Sequence, residues 1–210
     1  MNKTKRAIFR SMSFDRWNLK MRVYLNTMYK DDVENGMTAR LKADLAFQAA
    51  EETRWTPEEQ SSYITNLISN KAPSTFVFAD IESCRKVAEE ESRISDFNYF
   101  DEWHSQDIAF LNIDSNNRNI SIYDFLQNGV TLLHGQYQTP SGNFTIDENN
   151  DTFKTMPELL KQDFLNSEVL VTAYTDATRE ELSELFVAVN DGRPLIAPEK
   201  RNASTSNIAT

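Results

Sequence analysis

The chain has 210 residues, of which 40% are hydrophobic and 26% are charged, so its composition is that of a globular protein and excludes a low-complexity chain. The 32 acidic and 22 basic residues give a formal net charge of -10, which argues against a uniformly cationic surface for nucleic acid. Cys84 is the only cysteine, which rules out an intramolecular disulfide and indicates a reducing compartment.

The sequence shows no signal peptide at its start and no membrane span. The first residues are basic but lack the apolar core of a signal peptide, and no apolar run approaches the length of a membrane span. We therefore expect a soluble cytoplasmic protein. Cys84 lies in a helical pattern with no histidine near it in sequence, so we interpret it as a small buried thiol and not as a nucleophile.

The first 52 residues predict an added N-terminal helical segment. Residues 14–30 space apolar side chains at helical intervals, and residues 37–52 are rich in helix formers. Asn35-Gly36 separates the two stretches. Packing as an added helical layer is the favoured interpretation, and a helical hairpin or a dimer contact is the alternative.

A capping box predicts the start of the next helix. Thr56 can cap the helix, Pro57 suits its first position, and Glu59 completes the box. The following elements are a buried strand at 75–80, a helix at 81–93, a loosely patterned aromatic stretch at 97–103 that we assign to the core, and a second buried strand at 108–113.

The C-terminal half mixes strands and helices without regular alternation, which predicts an α+β fold. Its last predicted helix begins with a second capping box, formed by Thr178 and Glu181. The elements before it are a short helix at 120–129, a hairpin turning at Pro140-Ser141-Gly142, a helix at 156–166 and a strand at 168–175.

Several common kinds of catalytic site are missing from the sequence. His104 and His134 are the only histidines, and no cysteine or histidine spacing matches a zinc site. The sequence has no P-loop, no G-x-G-x-x-G and no G-x-S-x-G motif. If the chain is an enzyme, its carboxylates, amides and arginines must act, and phosphates with a divalent ion are the ligands that suit them.

Three polar clusters each lie at the end of an apolar element. Such ends are where binding pockets form, so we expect the second and third clusters to converge on one cleft. The clusters are Arg54 and Trp55 before the helix that carries Gln60; Asp114 to Arg118, between a strand and a helix; and Asn190 with Glu199, Lys200, Arg201 and Asn202, after the last helix.

The middle cluster suits a phosphate-bearing ligand best. A helix N-terminus offers free N–H groups and a partial positive charge, and Arg118 beside it can bind phosphate oxygens bidentately. Asp114 can hold magnesium or orient a water, and Asn116 and Asn117 can fix either of them. From spacing alone, the alternative is a polar turn in which Asn117 caps the helix.

Three segments in the same order resemble one known family. "RWTPEEQSSYITNLISNKAPSTFVFAD" resembles its opening, in which arginine and tryptophan precede a helix that ends before an apolar strand. "NIDSNNRNISIYDFL" resembles its Asp-Gly-Gln-Gln-Arg segment, and the stretch ending "NDGRPLIAPEKRNAS" resembles its closing Asn-x-Gly and Leu-x-x-x-Glu-x-Arg-Asn motifs. The family is the N-terminal domain of GmrSD-type modification-dependent restriction enzymes, in the ParB/sulfiredoxin-like superfamily, and the likeness covers roughly residues 52–204.

The resemblance implies an architecture and a ligand. It implies a ParB/sulfiredoxin-like domain at residues 53–204, with a small mixed sheet and surrounding helices, after a helical extension at 1–52 and before a tail at 205–210. Such a domain binds and hydrolyses a nucleoside triphosphate with Mg²⁺, and in complete family members this drives DNA cleavage by a second, nuclease module. The implied partners are the nucleotide, a second copy of the chain or a nuclease subunit, and DNA only indirectly, given the net charge.

The resemblance also assigns roles to residues. Asp114 and Arg118 match the acid and the arginine of the motif, so they are catalytic candidates with Asn116 and Asn117, and Asp114 is the metal candidate. The asparagines keep the amide chemistry of glutamine with a shorter reach, while Ser115 adds a side chain where glycine lets the backbone approach phosphate. These departures favour nucleotide binding over turnover. The nucleotide-binding candidates are Arg54, Gln60, Ser115, Asn190, Glu199, Arg201 and Asn202.

Three functions are compatible with these residues. The first is a nucleotide-dependent domain that acts in DNA restriction, modification or its evasion. The second is a ParB-like phosphotransferase, and the third is a catalytically degenerate module that binds protein or DNA. No nuclease motif, such as a His-Asn-His cluster, follows residue 204.

Overall fold

A mixed five-stranded sheet lies at the centre of the fold. The computed structural model describes residues 11–32, 36–39, 41–42, 54–71 and 75–190. In chain order the elements are β1 (Phe14–Lys20), α1 (Met21–Met28), β2 (Tyr29–Asp32), β3 (Gly36–Ala39), β4 (Leu41–Lys42), α2 (Pro57–Ile68), β5 (Thr75–Asp80), α3 (Ile81–Glu90), α4 (Ile94–Ser105), β6 (Phe110–Asp114), α5 (Asn116–Leu126), β7 (Gly135–Thr139), β8 (Gly142–Ile146), α6 (Glu158–Asn166), β9 (Glu168–Tyr174) and α7 (Arg179–Asn190).

The strand order of the main sheet is β1-β9-β5-β6-β4. β9 pairs antiparallel with β1 and parallel with β5, while β6 pairs antiparallel with β5 and parallel with β4. Two antiparallel hairpins, β2-β3 and β7-β8, form separate two-stranded sheets. The predicted α+β class and the small mixed sheet are therefore confirmed.

The two faces of the sheet bury two different apolar cores. Successive side chains of a strand point to opposite faces, so Phe76 and Phe78 of β5 join one core while Ala79 joins the other. The first core also takes apolar residues from α1, α2, α5 and α6, and the second takes them from α3, α4 and α7. Helices α1, α2 and α5 therefore lie on one side of the sheet, next to the end of β6.

The prediction of one helix over residues 14–30 is wrong. Residues 14–20 form β1, which pairs with 168–174 from the far end of the chain, and only 21–28 are helical. The helix prediction for residues 37–52 is wrong for 37–39 and 41–42, which lie in strands, and residues 40 and 43–52 lie outside the described residues. Strand hydrogen bonds from distant segments outweigh the local helix propensity here. The described part of the N-terminal segment thus supplies both edge strands of the main sheet, β1 and β4, and does not form an added helical layer.

The predictions from local signals agree with the structure. Thr56 N donates to Glu59 Oε2 at 2.8 Å and Glu59 N donates to Thr56 Oγ1 at 3.3 Å, which confirms the first capping box. Thr178 N donates to Glu181 Oε2 at 2.8 Å and Glu181 N donates to Thr178 Oγ1 at 3.1 Å, which confirms the second. Each box joins residues three positions apart, so the sequence alone is enough to locate it.

Two further core predictions can be compared with the structure. The aromatic stretch 97–103 lies within α4, where Phe100 is fully buried and Trp103 packs against the second core. Cys84 is also fully buried, and this burial raises the pKa of its thiol to about 12. Its interpretation as a small buried thiol is confirmed. Among the described residues, no helix is both long and apolar enough to cross a membrane.

Candidate functional site

The candidate site lies where β6 passes into α5. Ser115 is the residue before the helix, but its hydroxyl makes no capping hydrogen bond to the first turn. The N–H groups at this end of α5 therefore receive no side-chain acceptor from Ser115. The alternative in which Asn117 caps the helix is wrong, because Asn117 lies inside the first turn.

An ion pair crosses this first turn. Arg118 Nη2 donates to Asp114 Oδ2 at 3.0 Å and to the main-chain oxygen of Asp114 at 3.2 Å. The Arg118 side chain is 20% exposed and that of Asp114 is 36% exposed, so both charges can be reached from solvent. The guanidinium adds to the partial positive charge of the helix end, and the carboxylate offsets part of it.

A chain of buried polar side chains lies beneath the ion pair. Ser115 Oγ donates to Asn112 Oδ1 at 2.7 Å and accepts from Asn119 Nδ2 at 3.2 Å. The hydroxyl of Tyr24, on α1, donates to Asn119 Oδ1. All four residues are buried, so these bonds fix the start of α5 against the end of β6 and against α1.

Two contacts tie α2 to α5. Trp55 N, just before α2, donates to Asn117 Oδ1 at 3.3 Å. Gln60 Nε2 donates to Asp124 Oδ2 at 3.1 Å. Asp124 lies about 12 Å along the helix axis from the first residue of α5, at 1.5 Å per residue. Gln60 thus joins two helices away from the helix N-terminus, whereas Trp55 lies beside it.

Two buried donors near the ion pair have no hydrogen-bond partner in the part of the chain that the structure describes. They are the hydroxyl of Tyr63, on α2, and Nε of Arg118. Burial raises the pKa of Tyr63, and the positive charge of Arg118 partly opposes that rise, so the two groups lie within electrostatic reach. A buried donor without a partner costs about 1–3 kcal/mol. Nε of Arg85 and of Arg179 is also without a hydrogen-bond partner among the described residues, so the hydroxyl of Tyr63 is the stronger indication of a place for an acceptor.

The other predicted site residues are only partly placed. Arg54 is exposed at the bend before α2, and Asn116 is the first residue of α5. Asn190 ends α7, but its side chain lies outside the described residues, as do Glu199, Arg201 and Asn202. Convergence of this last cluster with Asp114 and Arg118 stays a prediction.

The chemistry of the site fits a phosphate ligand. The guanidinium of Arg118, a helix N-terminus that Ser115 does not cap and the unpartnered hydroxyl of Tyr63 all favour an anion. No group of three or more metal-ligating side chains occurs among the described residues. Mg²⁺ is commonly held by one or two carboxylates together with substrate phosphates, and Asp114 can be such a carboxylate.

Sequence reasoning missed the buried residues that support the site. Asn112 stands two positions before Asp114 on one strand, and Asn119, in α5, stands four positions after Ser115, the residue that precedes the helix. Those spacings place each pair on the same side of its element, which is a usable signal. Tyr24 and Tyr63 carry no such signal, because each belongs to an apolar stripe whose hydroxyl partners depend on the fold.

Comparison of the chain with protein-family models, with curated proteins and with solved structures gives no match. Its function must therefore be argued from the geometry of the site and from the motif resemblance. The end of β6, the first turn of α5 and the start of α2 are the parts of the molecule that supply this geometry.

Proposed function

We propose that the chain binds a nucleoside triphosphate, with its phosphates at the N-terminus of α5. The observation that carries the proposal is Arg118, held by Asp114 at a helix end that Ser115 leaves uncapped. A guanidinium and the main-chain N–H groups of a helix N-terminus are donors that suit phosphate oxygens. That the ligand is a nucleotide, and that magnesium accompanies it, is inferred from the motif resemblance. The geometry of the site supports the binding of phosphate.

The orientation of Ser115 supports binding despite the replaced glycine. Its hydroxyl is buried and hydrogen-bonded to Asn112 and Asn119. The side chain is therefore directed into the core and does not cover the outer end of the helix. A phosphate can approach the N–H groups of the first turn much as it would with glycine at this position.

Asp114 is the residue that we propose to take part in hydrolysis. When bound, magnesium supplies charge neutralisation between a carboxylate and phosphate oxygens. Asp114 is partly exposed beside the proposed phosphate position, so it can hold that ion or orient an attacking water. Asn117 is held by Trp55 through its amide oxygen, which fixes its side chain near the same position.

One observation favours a second candidate, a nucleotide-binding module without turnover. Asp114 is already paired with Arg118, and a carboxylate neutralised by a neighbouring guanidinium is less available to a metal ion or a water. The two candidates share the binding step and differ only in chemistry. The wider role, in DNA restriction, modification or its evasion with a nuclease partner, is proposed on the resemblance alone.

Titration with each nucleoside triphosphate tests the proposal. Calorimetry with and without Mg²⁺ measures binding, and phosphate release measured on the same samples shows whether hydrolysis occurs. Binding with release supports the hydrolytic function, and binding without release supports the module. A nucleoside diphosphate formed with a phosphorylated acceptor, in place of free phosphate, would identify a phosphotransferase. Absence of binding by every nucleotide would overturn the proposal.

A further inference from the structure

We propose that Tyr63 is a further ligand-binding residue, whose hydroxyl donates, together with Nε of Arg118, to a phosphate oxygen of the bound nucleotide. This inference rests on the proposed function and deepens it. It adds a donor from α2 to a site otherwise built from β6 and α5, so a bound phosphate would be contacted from two helices.

The position of Tyr63 supports this role. Tyr63 is only 8% exposed, and its hydroxyl has no hydrogen-bond partner within the described residues. Its ring centroid lies 5.2 Å from that of Trp55. The main-chain N–H of Trp55 in turn donates to Asn117 Oδ1, in the first turn of α5. The aromatic pair therefore lies beside the helix end that receives the phosphate.

The hydroxyl of Tyr63 differs from those of two other buried tyrosines. The hydroxyl of Tyr24 donates to Asn119, and that of Tyr137 donates to the main-chain oxygen of Leu133 at 2.6 Å. Tyr137 Oη also lies 2.9 Å from Thr65 Oγ1. These phenols are satisfied by protein atoms, as buried hydroxyls usually are. Tyr63 is the exception, and it lies within electrostatic reach of an arginine whose Nε is also unpartnered.

Arg118 can take part without releasing Asp114. Its Nη2 makes both contacts to Asp114, while Nε makes none in the described structure. Tyr63 keeps its proton at neutral pH, as any phenol does, and burial raises the pKa of its hydroxyl further. Both groups are therefore donors under ordinary conditions, and each can donate to a phosphate oxygen.

Tyr63→Phe tests the inference, because it removes only the hydroxyl. Tyr137→Phe is the matched control, since it removes a buried hydroxyl that has protein partners. The probes are inorganic tripolyphosphate and a nucleotide that binds the wild type, measured by calorimetry. We expect Tyr63→Phe to weaken binding of both ligands about tenfold. The melting temperature should stay the same or rise, because the hydroxyl that is removed is buried and has no hydrogen-bond partner within the described residues. Tyr137→Phe should keep both affinities and lower the melting temperature.

The outcomes separate this inference from the proposed function. If the wild type binds and Tyr63→Phe binds equally well, the inference is wrong and the proposed function stands. If Tyr63→Phe weakens the binding of the nucleotide but not that of tripolyphosphate, the hydroxyl contacts the base or sugar, and its assignment to a phosphate oxygen is wrong. If the wild type binds neither probe, the proposed function fails and the inference fails with it.

Discussion

Arg118 reaches back four residues to Asp114, and its Nη2 donates both to the carboxylate and to the main-chain oxygen of that residue. The two side chains have opposite effects on a phosphate, because the guanidinium attracts it and the carboxylate repels it. Their pairing holds the attractive group at the helix end while partly masking its charge. Substitutions of the two residues should therefore change nucleotide affinity in opposite directions.

Arg118→Ala should weaken nucleotide binding without unfolding the chain. Loss of a charge-assisted phosphate contact costs on the order of 1.5–3 kcal/mol of affinity. The stability change should be below about 1 kcal/mol, since a partly exposed ion pair contributes little to folding. Calorimetry and thermal unfolding measure the two effects. Arg118→Lys is the control that keeps the charge but loses the planar fork, and it should bind at an intermediate level. Unchanged affinity with a collapsed melting temperature would make Arg118 a structural residue.

The sequence predicted those parts of the fold whose cause is local. The capping boxes of Thr56 and Thr178 join residues within one helical turn, and the hairpin turns at Pro140-Ser141 between β7 and β8. The turn from β6 into α5 was also placed correctly, as a polar cluster between an apolar strand and a helix. Each of these features depends on a few neighbouring residues.

The sequence failed where the cause lies far along the chain. Phe14, Trp17 and Met21 happen to be spaced as on a helix, but β9 pairs with residues 14–20 and makes them a strand. The contact between Tyr24 and Asn119, which are 95 positions apart, likewise depends on which elements meet. Local spacing holds no information about such contacts.

Asn119→Ala should destabilise the fold by about 1–3 kcal/mol. The change leaves the buried hydroxyl of Tyr24 without its acceptor. It also removes the amide that donates to Ser115 Oγ, although Ser115 keeps its hydrogen bond to Asn112. Urea unfolding measures the loss. Adding Tyr24→Phe should recover part of it, because the orphaned hydroxyl is then removed. Gln136→Ala is the control: it deletes an exposed side-chain bond to Thr145 and should have little effect. If Asn119→Ala lost no more stability than the control, the buried hydrogen bonds of Asn119 would not stabilise the fold.

Cys84 should make the fold less stable in alkaline solution. Burial raises the pKa of its thiol from 9.0 to about 12. Below pH 9 the thiol is protonated in both states, so it causes no pH dependence. Above pH 9 the unfolded chain loses the proton first, and stability should fall by roughly 1.4 kcal/mol per pH unit until about pH 12. Urea unfolding at several pH values, compared with Cys84→Ala, isolates this slope. Equal slopes for the two proteins would show that the thiol is not the cause.

Ser115→Gly should lower stability, although it brings the motif closer to the Asp-Gly-Gln-Gln-Arg pattern that it resembles. The Ser115 hydroxyl joins Asn112 to Asn119, and its removal leaves two buried amides each short of a partner. We expect a loss of about 1–3 kcal/mol in urea unfolding. Asn116→Gln with Asn117→Gln is therefore the better pair for testing whether phosphate release increases, with Ser115 retained. A fully stable Ser115→Gly variant would mean that the buried hydrogen bonds of Ser115 to Asn112 and Asn119 do not contribute to stability.

Asp114→Asn should affect chemistry more than binding. A carboxylate beside a triphosphate repels it unless a cation lies between them, and in this fold the same carboxylate also engages Arg118. Replacement by the neutral amide removes the repulsion and frees the guanidinium, so metal-free nucleotide affinity should be equal or slightly higher.

Phosphate release with magnesium should fall by about a hundredfold or more in Asp114→Asn, because positioning and electrostatic effects of a catalytic group commonly reach that size. The measurement compares wild type and variant for metal-free binding and for release with Mg²⁺. Asp163→Asn is the control carboxylate, since Asp163 binds Thr139 and Ser141 at the β7-β8 turn and has no role in the site. Equal release by wild type and Asp114→Asn would exclude the catalytic role. Tight binding by both proteins with release by neither would identify a binding module, in which the pairing of Asp114 with Arg118 only positions the phosphate contact.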